Sequence, residues 1–306
     1  LTAGVKKHLM RANDIPVKER LQVTNPDKLL FPEAGITKLE YVMKLYELSD
    51  YILKYTRNRN LTTIHYPDGI GEKSYYQKNM PSHAPDFVSH KPVGDTDFII
   101  MDSVETLLWL GNMAALEFHI PFNSIDRPDY PDALVFDLDP SEGQTFSQVT
   151  DAAMIIFNTL KELGIRSFCK TSGATGLQIA IPTGGEIDYG TARKINEFFG
   201  KYFTQKYPDI FTTERKITER GKRIYFDYLQ MWKGKTIICP YSPRATRYAN
   251  VSAPVLWEEV EKGIVPEDFT LRNITRRLQE IGDLYWEVYT SGPDSGLKYL
   301  ISQAIS

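Results

Sequence analysis

Apolar positions recur along this chain in two periods, and the changes of period mark its elements. The segment LQVTNPDKLLFPEAGITKLEYV carries turns at Asn25-Pro26-Asp27 and from Pro32 to Gly35. Thr37 then caps a helix, with Glu40 as its partner three residues on. Leu45, Leu48, Ile52 and Tyr55 recur at helical spacing, which predicts a helix to about Tyr55. Residues 61–66 (LTTIHY) read as a strand, and Pro67-Asp68-Gly69 as a loop. A second helix is predicted from Asp102, with Glu105 as its box partner, ending before His119. The turn-rich stretch from Pro121 to Pro131 marks the main boundary.

Beyond that boundary the elements alternate. ALVFDL (133–138) reads as a strand and 146–163 as an amphipathic helix stopped by Gly164. RSFCKT and LQIAIP are strands joined by the tight turn GATG. A helix over 188–207 ends at Pro208, and RIYFDYLQ and KTIICPY read as two more strands. The order is β-α-β-β-α-β-β. Its first six elements match the split βαβ, ferredoxin-like plan that RNA-recognition modules share. The expected fold class is therefore α+β. Residues 254–306 read as helix and loop packing back on this core. Residues 1–20 have few apolar anchors and read as a tail or linker, the stump of a longer chain.

At 306 residues with 42% hydrophobic and 25% charged, the chain can build its core without disulfides. Cys169 and Cys239 sit in apolar runs and read as small buried hydrophobes, which favours a reducing compartment. No apolar run approaches the ~18 residues of a membrane span. The opening LTAGVKKHLM lacks a signal-peptide core, so a cytosolic protein is the default. The net charge of −3 argues against a general nucleic-acid coat. Its distribution matters more, since an acidic cluster lowers the sum while basic patches still meet phosphate.

Three motifs carry candidate chemistry. In LVFDLDP, side chains two apart share a strand face, so Leu134, Phe136 and Leu138 point one way and Asp137 and Asp139 the other. Pro140 sets the pair at the strand's end. Adjacent carboxylates repel, and a cation relieves that; the plainer reading is a solvated strand end. Asp227 lies in the apolar run RIYFDYLQ, where an unpaired carboxylate is costly. A third acid beside the pair is what two divalent ions need to clamp an in-line phosphoryl transfer. The alternative is a buried acid paired with Arg223 or Lys235. In KTSGATGLQIAIP, Ser172 to Gly176 form a turn whose glycines Gly173 and Gly176 leave backbone N–H groups open to phosphate. Ser172 can donate its hydroxyl, and Lys170 or Arg220 can add charge; a plain hairpin turn is the alternative. The stretch ERKITERGKRIYF is locally basic and reads as a loop facing polyphosphate or a nucleic-acid backbone.

Together and in this order, TNPDKLLFP, ALEFHIP, LVFDLDPSEG, KTSGATGL, FDYLQ and PYSPRA resemble the polymerase domains of bacterial ligase D. Those domains belong to the archaeo-eukaryotic primase superfamily and act in non-homologous end joining. The resemblance covers about residues 21 to 260. It implies a primase-type catalytic core with an RNA-recognition-like sheet, packed against an N-terminal α/β module. The divisions it implies are a module near 21–130, a core near 131–253 and a helical segment near 254–306. Asp137, Asp139 and Asp227 match metal-binding acids for two Mn²⁺ or Mg²⁺ ions. Ser172, Arg220 and Arg244 match groups that bind the phosphates of an incoming NTP or dNTP, and His119 a histidine near its sugar. Gly173, Gly176, Gln178 and Gln230 fall within the same nucleotide-binding blocks. Lys28 and Lys38 match lysines that hold a 5′-phosphate at a gap or break; alone, each is an ordinary surface charge. Tyr75 and Tyr76 match an aromatic pair that stacks on template bases; by themselves they read as strand core. Implied partners are a DNA end or gapped duplex, the end-binding protein Ku and a ligase domain. The implied setting is the bacterial cytoplasm, at the nucleoid.

Two positions depart from the family pattern. Gln178 stands where a histidine is usual, and Thr175 where relatives carry lysine. Glutamine hydrogen-bonds a phosphate oxygen but carries no charge, so weaker triphosphate binding or a lower rate is expected. Two other functions fit parts of the pattern. A glycosyltransferase uses Asp-x-Asp for a metal–nucleotide-sugar, but gives no role to Asp227, Lys28 or Tyr75. A pure nucleic-acid-binding module uses the same sheet, but leaves three acids facing a polyanion.

Overall fold

The computed structural model describes residues 22–305; the tail expected over residues 1–20 lies outside them. The chain order is β1 (Leu29–Phe31), β2 (Ile36–Thr37), α1 (Lys38–Glu47), α2 (Ser49–Thr56), β3 (Thr62–His65) and β4 (Tyr75–Gln77). Then follow β5 (Ser89–Val93), β6 (Thr96–Ile100), α3 (Val104–Asn112), β7 (Ala115–Pro121), β8 (Ala133–Asp139) and α4 (Phe146–Glu162). Next come β9 (Phe168–Thr171), β10 (Leu177–Pro182), α5 (Tyr189–Lys206), β11 (Phe211–Thr212), β12 (Ile224–Phe226) and β13 (Thr236–Ile238). The chain closes with β14 (Pro254–Val255), α6 (Trp257–Lys262), α7 (Ile274–Ile281), α8 (Glu287–Thr290) and α9 (Ser295–Ile305).

The larger sheet runs β11-β12-β8-β10-β9-β14. Its four central strands, β12-β8-β10-β9, are antiparallel throughout. That is the spatial order of the expected split βαβ unit, with β10 inserted between the two strands that α4 connects. Leu134, Phe136 and Leu138 point into the core, where the Phe136 ring meets Phe199 of α5 at 5.1 Å and Phe226 at 4.9 Å. Helices α4 and α5 cover this face. The opposite face carries the acids.

The second sheet runs β13-β7-β3-β4. Two corrections to the sequence reading are seen here. The second helix, expected to end before His119, stops at Asn112, and ALEFHIP is the interior strand β7. It is buried on both faces, so no alternation betrays it. KTIICPY does not close the larger sheet; its strand β13 pairs with β7, so the second half of the chain completes the sheet of the first. RIYFDYLQ is likewise shorter than expected, since the strand ends at Phe226 and Asp227 caps a 3-10 turn over Tyr228–Gln230. The first helix also divides, into α1 and α2 at Leu48. The second starts from Ser103, whose hydroxyl accepts from Thr106 N at 3.2 Å.

One apolar core links both sheets. The closing segment packs back on it as expected, with α6 against α4 and α9 against α5. Asp283 ties it down by accepting from the hydroxyls of Tyr55 at 2.6 Å and Tyr241 at 2.8 Å, and from Lys54 at 2.9 Å. Both cysteines are buried and free. No described helix is long and apolar enough to cross a membrane.

Candidate active site

The two sheets face each other across a cavity of about 210 Å³. One wall is the end of β8 and the β9–β10 turn, bearing Asp137, Asp139, Ser172 and Gln178. The other is β7 and β13, bearing His119 and the backbone from Thr236 to Ile238. Gln230 and Arg244 close it. Seven of the residues singled out from the sequence therefore meet in one place.

Asp137 and Asp139 project from β8 on the face away from the helices. Burial, followed by the charge of Asp139, pushes the Asp137 carboxyl up to about 7, against a hydrogen bond from Gln178. Asp139 is also raised, by burial and then by the charge of Asp227, against Arg220 and Arg244. Three acids thus feel one another. Asp227 follows β12, and its backbone N–H donates to Asp137 O at 3.1 Å, so the acid is anchored beside the pair. Its Oδ1 accepts from Tyr225 Oη and Leu229 N, each at 3.1 Å, rather than from Arg223 or Lys235. Among the described residues no three His, Cys, Asp or Glu side chains are drawn together as a finished metal cage. The donor set nevertheless suits a hard cation: its ligands are carboxylate oxygens, and their mutual repulsion is what a divalent ion relieves.

The β9–β10 turn differs in detail from its expectation. Its N–H groups are not all open, because Ala174 N and Gly176 N donate to Ser172 Oγ at 3.2 and 3.1 Å. That leaves the Ser172 hydroxyl hydrogen free to point outward. The glycines are there for close approach. A Cβ on Gly176 would lie 2.5 Å from Leu138 O and 3.2 Å from Asp139 Oδ1, so glycine lets the turn sit against the acid strand. A Cβ on Gly173, which has φ +75, would lie 2.5 Å from Arg244 Cγ. Lys170 does not face phosphate. It is buried, and its Nζ donates to Gln178 Oε1 and Ser252 Oγ. Gln178 in turn donates to Asp137 Oδ1 at 3.1 Å.

Glu117 escaped the sequence reading, although it shares a strand face with His119 two residues on. Its Oε2 accepts from His119 Nε2 at 3.0 Å, and its Oε1 accepts from Ala245 N at 3.2 Å and lies 3.4 Å from Arg244 Nε. The last contact is a charge pair and not a hydrogen bond, so Arg244 Nε keeps an unused donor. Burial works to raise the Glu117 carboxyl, but His119 and Arg244 together hold it below the usual range. Burial lowers His119, which is therefore a neutral imidazole with Nε2–H on Glu117. Its Nδ1 is left as an acceptor.

Of the other expected residues, Gln230 lines this cavity and the rest lie outside it. Arg220 is fixed by bonds from Nε to Glu214 O and from a terminal nitrogen to Arg215 O, and its guanidinium lies 3.7 Å over the Tyr225 ring. Its charge still reaches Asp139. Gln230 donates to Thr236 O at 2.8 Å, linking the Asp227 turn to β13. Lys28 and Lys38 are brought together by the β1–β2 pair, with Lys38 N donating to Lys28 O at 2.8 Å. Lys28 Nζ contacts Asp68 and Pro67 O, and Lys38 Nζ reaches Thr24 Oγ1 at 2.9 Å. Burial, then the charge of Lys28, lowers the Lys38 ammonium. Tyr75 and Tyr76 are not strand core: they lie on the edge strand β4, 44% and 73% exposed. Tyr75 stacks on His65 at 4.8 Å, while Tyr76 is open to solvent.

Comparison with known proteins gives this arrangement its family. A family model described as LigD, primase-polymerase domain, matches residues 37–285. The chain is 38% identical over 289 residues to the bifunctional non-homologous end joining protein LigD of Bacillus subtilis (strain 168), covering 94% of this chain and 47% of that one. It is 31% identical over 275 residues to the multifunctional non-homologous end joining protein LigD of Mycolicibacterium smegmatis, covering 87% and 36%. It thus spans about half or less of the length of these relatives. Its fold matches a solved polymerase domain from Mycobacterium tuberculosis ligase D in complex with DNA, with a TM-score of 0.82 and 26% identity over 90% of this chain and 99% of that one. These matches support neither the glycosyltransferase nor the pure binding module. The paired acids beside Asp227, on a sheet of this order, sit in a chain that belongs to the LigD primase-polymerase domain family, a family of nucleotidyltransferases.

Proposed function

We propose that this chain adds nucleotides to DNA ends, directed by a template, in the repair of double-strand breaks. The observation that carries this reading is the cleft lined by Asp137, Asp139, His119, Ser172 and Arg244, with Asp227 beside the acid pair. Asp137, Asp139 and Asp227 would hold two divalent cations, Mn²⁺ or Mg²⁺. When bound, these supply Lewis acidity to the primer 3′-hydroxyl and to the triphosphate. The chain's own groups do the rest. The Arg244 guanidinium, which lines the cleft, and the Ser172 hydroxyl bind triphosphate oxygens, and the charge of Arg220 reaches Asp139. The Nδ1 of His119 accepts from a sugar hydroxyl, which suits a ribonucleotide. Gln230 and the glycines Gly173 and Gly176 shape the pocket.

Outside the cleft, Lys28 and Lys38 at the start of α1 would take a 5′-phosphate, aided by the helix N-terminus. Tyr76, supported by Tyr75, would stack on a template base. The active unit would comprise residues 21–306: an N-terminal module near 21–130, a core near 131–253 and a helical segment near 254–306. Ku and a ligase domain are its proposed partners, and the bacterial cytoplasm, at the nucleoid, its setting. An Asp137→Ala variant tests the reading against a binding module. A polymerase loses nucleotide incorporation while still binding gapped DNA. A parent protein that binds gapped DNA but incorporates no nucleotide with either metal would overturn the proposal.

A further inference from the structure

We propose that Lys170 and Gln178 form a buried relay that positions Asp137 for its cation; the inference rests on the polymerase reading above. Strands β9, β10 and β8 place Lys170, Gln178 and Asp137 directly opposite one another, in one row across the sheet. Lys170 Nζ donates to Gln178 Oε1 at 2.5 Å, and Gln178 Nε2 donates to Asp137 Oδ1 at 3.1 Å. A second bond from Lys170, to Ser252 Oγ at 2.7 Å, holds the ammonium in place, and that hydroxyl is itself fixed on Thr171 O at 2.8 Å.

This row has features that packing alone does not require. Lys170 is 1% exposed, and among the described residues it forms no ion pair with any carboxylate. A buried ammonium is costly, and a hydrophobic residue at the centre of a sheet would avoid the cost. The one acid in line with it is Asp137, and only the Gln178 amide lies between them. The amide oxygen accepts from Lys170 and the amide nitrogen donates to Asp137, the order required when Lys170 is an ammonium, which has no acceptor. Gln178 therefore has one orientation. It pins Oδ1 of Asp137 and leaves Oδ2 for the cation.

The relay also accounts for Gln178 in a position where the family resemblance implies histidine. A neutral imidazole presents the same order, an acceptor toward Lys170 and a donor toward Asp137. Leucine presents neither. Gln178 is thus a positioning residue in the row, with its Oε1 and one amide hydrogen already engaged, and not chiefly a ligand of the triphosphate.

The test is direct Mn²⁺ binding to the full chain, followed by the electron paramagnetic resonance signal of free Mn²⁺, beside a thermal melt. Parent protein that binds Mn²⁺, and Asp137→Ala that does not, secure the metal site on which the polymerase reading depends; a parent that binds none overturns that reading instead. Given a competent parent, Lys170→Met and Gln178→Leu should weaken Mn²⁺ binding by about 10–100-fold, as loss of a partner behind a metal ligand does. Gln178→His should stay close to the parent. A purely structural role predicts a lower melting temperature with parental Mn²⁺ affinity in the folded protein, and that result would overturn the relay. If Lys170→Met does not fold, the contrast between Gln178→Leu and Gln178→His decides: equal affinities contradict the relay.

Discussion

Glu117 Oε2 accepts the Nε2–H of His119 at 3.0 Å, and this bond sets the tautomer of the one histidine in the cleft. The same carboxylate meets Ala245 N and the Arg244 guanidinium, so one buried acid aligns two groups proposed to touch the nucleotide. Replacing it with glutamine keeps the size but removes the charge. A hydrogen bond to a charged group contributes ~1.5–3 kcal/mol. Glu117→Gln should therefore raise KM for the nucleotide by about tenfold or more, with a smaller change in kcat. Steady-state kinetics with varied NTP check this, and an unchanged KM contradicts it.

The acid pair makes metal binding depend on pH. Burial, and then the charge of Asp139, push the Asp137 carboxyl up from its ordinary 3.8 to about 7 in the folded chain. Its folded value lies above its unfolded one, so the folded chain keeps a proton that the unfolded chain has released. The stability penalty is absent below about pH 4, grows through the window between the two values and is complete above about pH 7. A divalent cation binds the ionised form and removes that penalty. The rise in Tm on adding Mn²⁺ should accordingly be small near pH 5 and larger near pH 7.5. A Tm shift independent of pH over that range would contradict the assignment of Asp137 as a ligand.

Tyr76 is 73% exposed on an edge strand, while its neighbour Tyr75 is stacked on His65. Removing the Tyr76 ring should leave the fold intact and weaken binding of DNA with an unpaired template base. Stacking contributes ~1–3 kcal/mol per base, or roughly 5–150-fold in affinity. Fluorescence anisotropy with gapped DNA measures it. Tyr76→Ala that binds as the parent does removes Tyr76 from the template path.

Asp283 gives the stability counterpart, remote from the chemistry. Burial acts to raise its carboxyl, but hydrogen bonds from Tyr55 and Lys54 hold it below the usual range. Asp283→Ala strands the Tyr55 and Tyr241 hydroxyls and should cost roughly 3 kcal/mol in denaturant melts. Mn²⁺ binding by the folded fraction should be unchanged.

The larger sheet was legible because its signals are local. Period-two alternation in LVFDLD separates Phe136 from Asp137, and Gly164 and Pro208 punctuate the helices at α4 and α5. What escaped is set by contacts distant in sequence. Strand β7 is buried on both faces and shows no alternation, and β13 joins it across more than a hundred residues. The acids, Ser172 and Arg244 were found as motif residues, but their partners were not. Glu117 reads as an ordinary strand acid until Arg244 arrives from the second half of the chain. Lys170 reads as a phosphate-facing cation until the register sets Gln178 against it. Motifs mark the groups that meet the ligand; pairing across strands decides which groups hold them.

The account rests on metal-dependent nucleotide addition, and primer extension tests that most directly. The substrate is a gapped duplex with a 5′-phosphate, supplied with labelled NTP or dNTP and Mn²⁺, with the Asp137→Ala/Asp139→Ala double variant as control. The account predicts extension by the parent protein, greater with NTP than with dNTP, and none by the double variant. Extension that persists in the double variant, or none by a folded parent protein that binds the duplex, would contradict it.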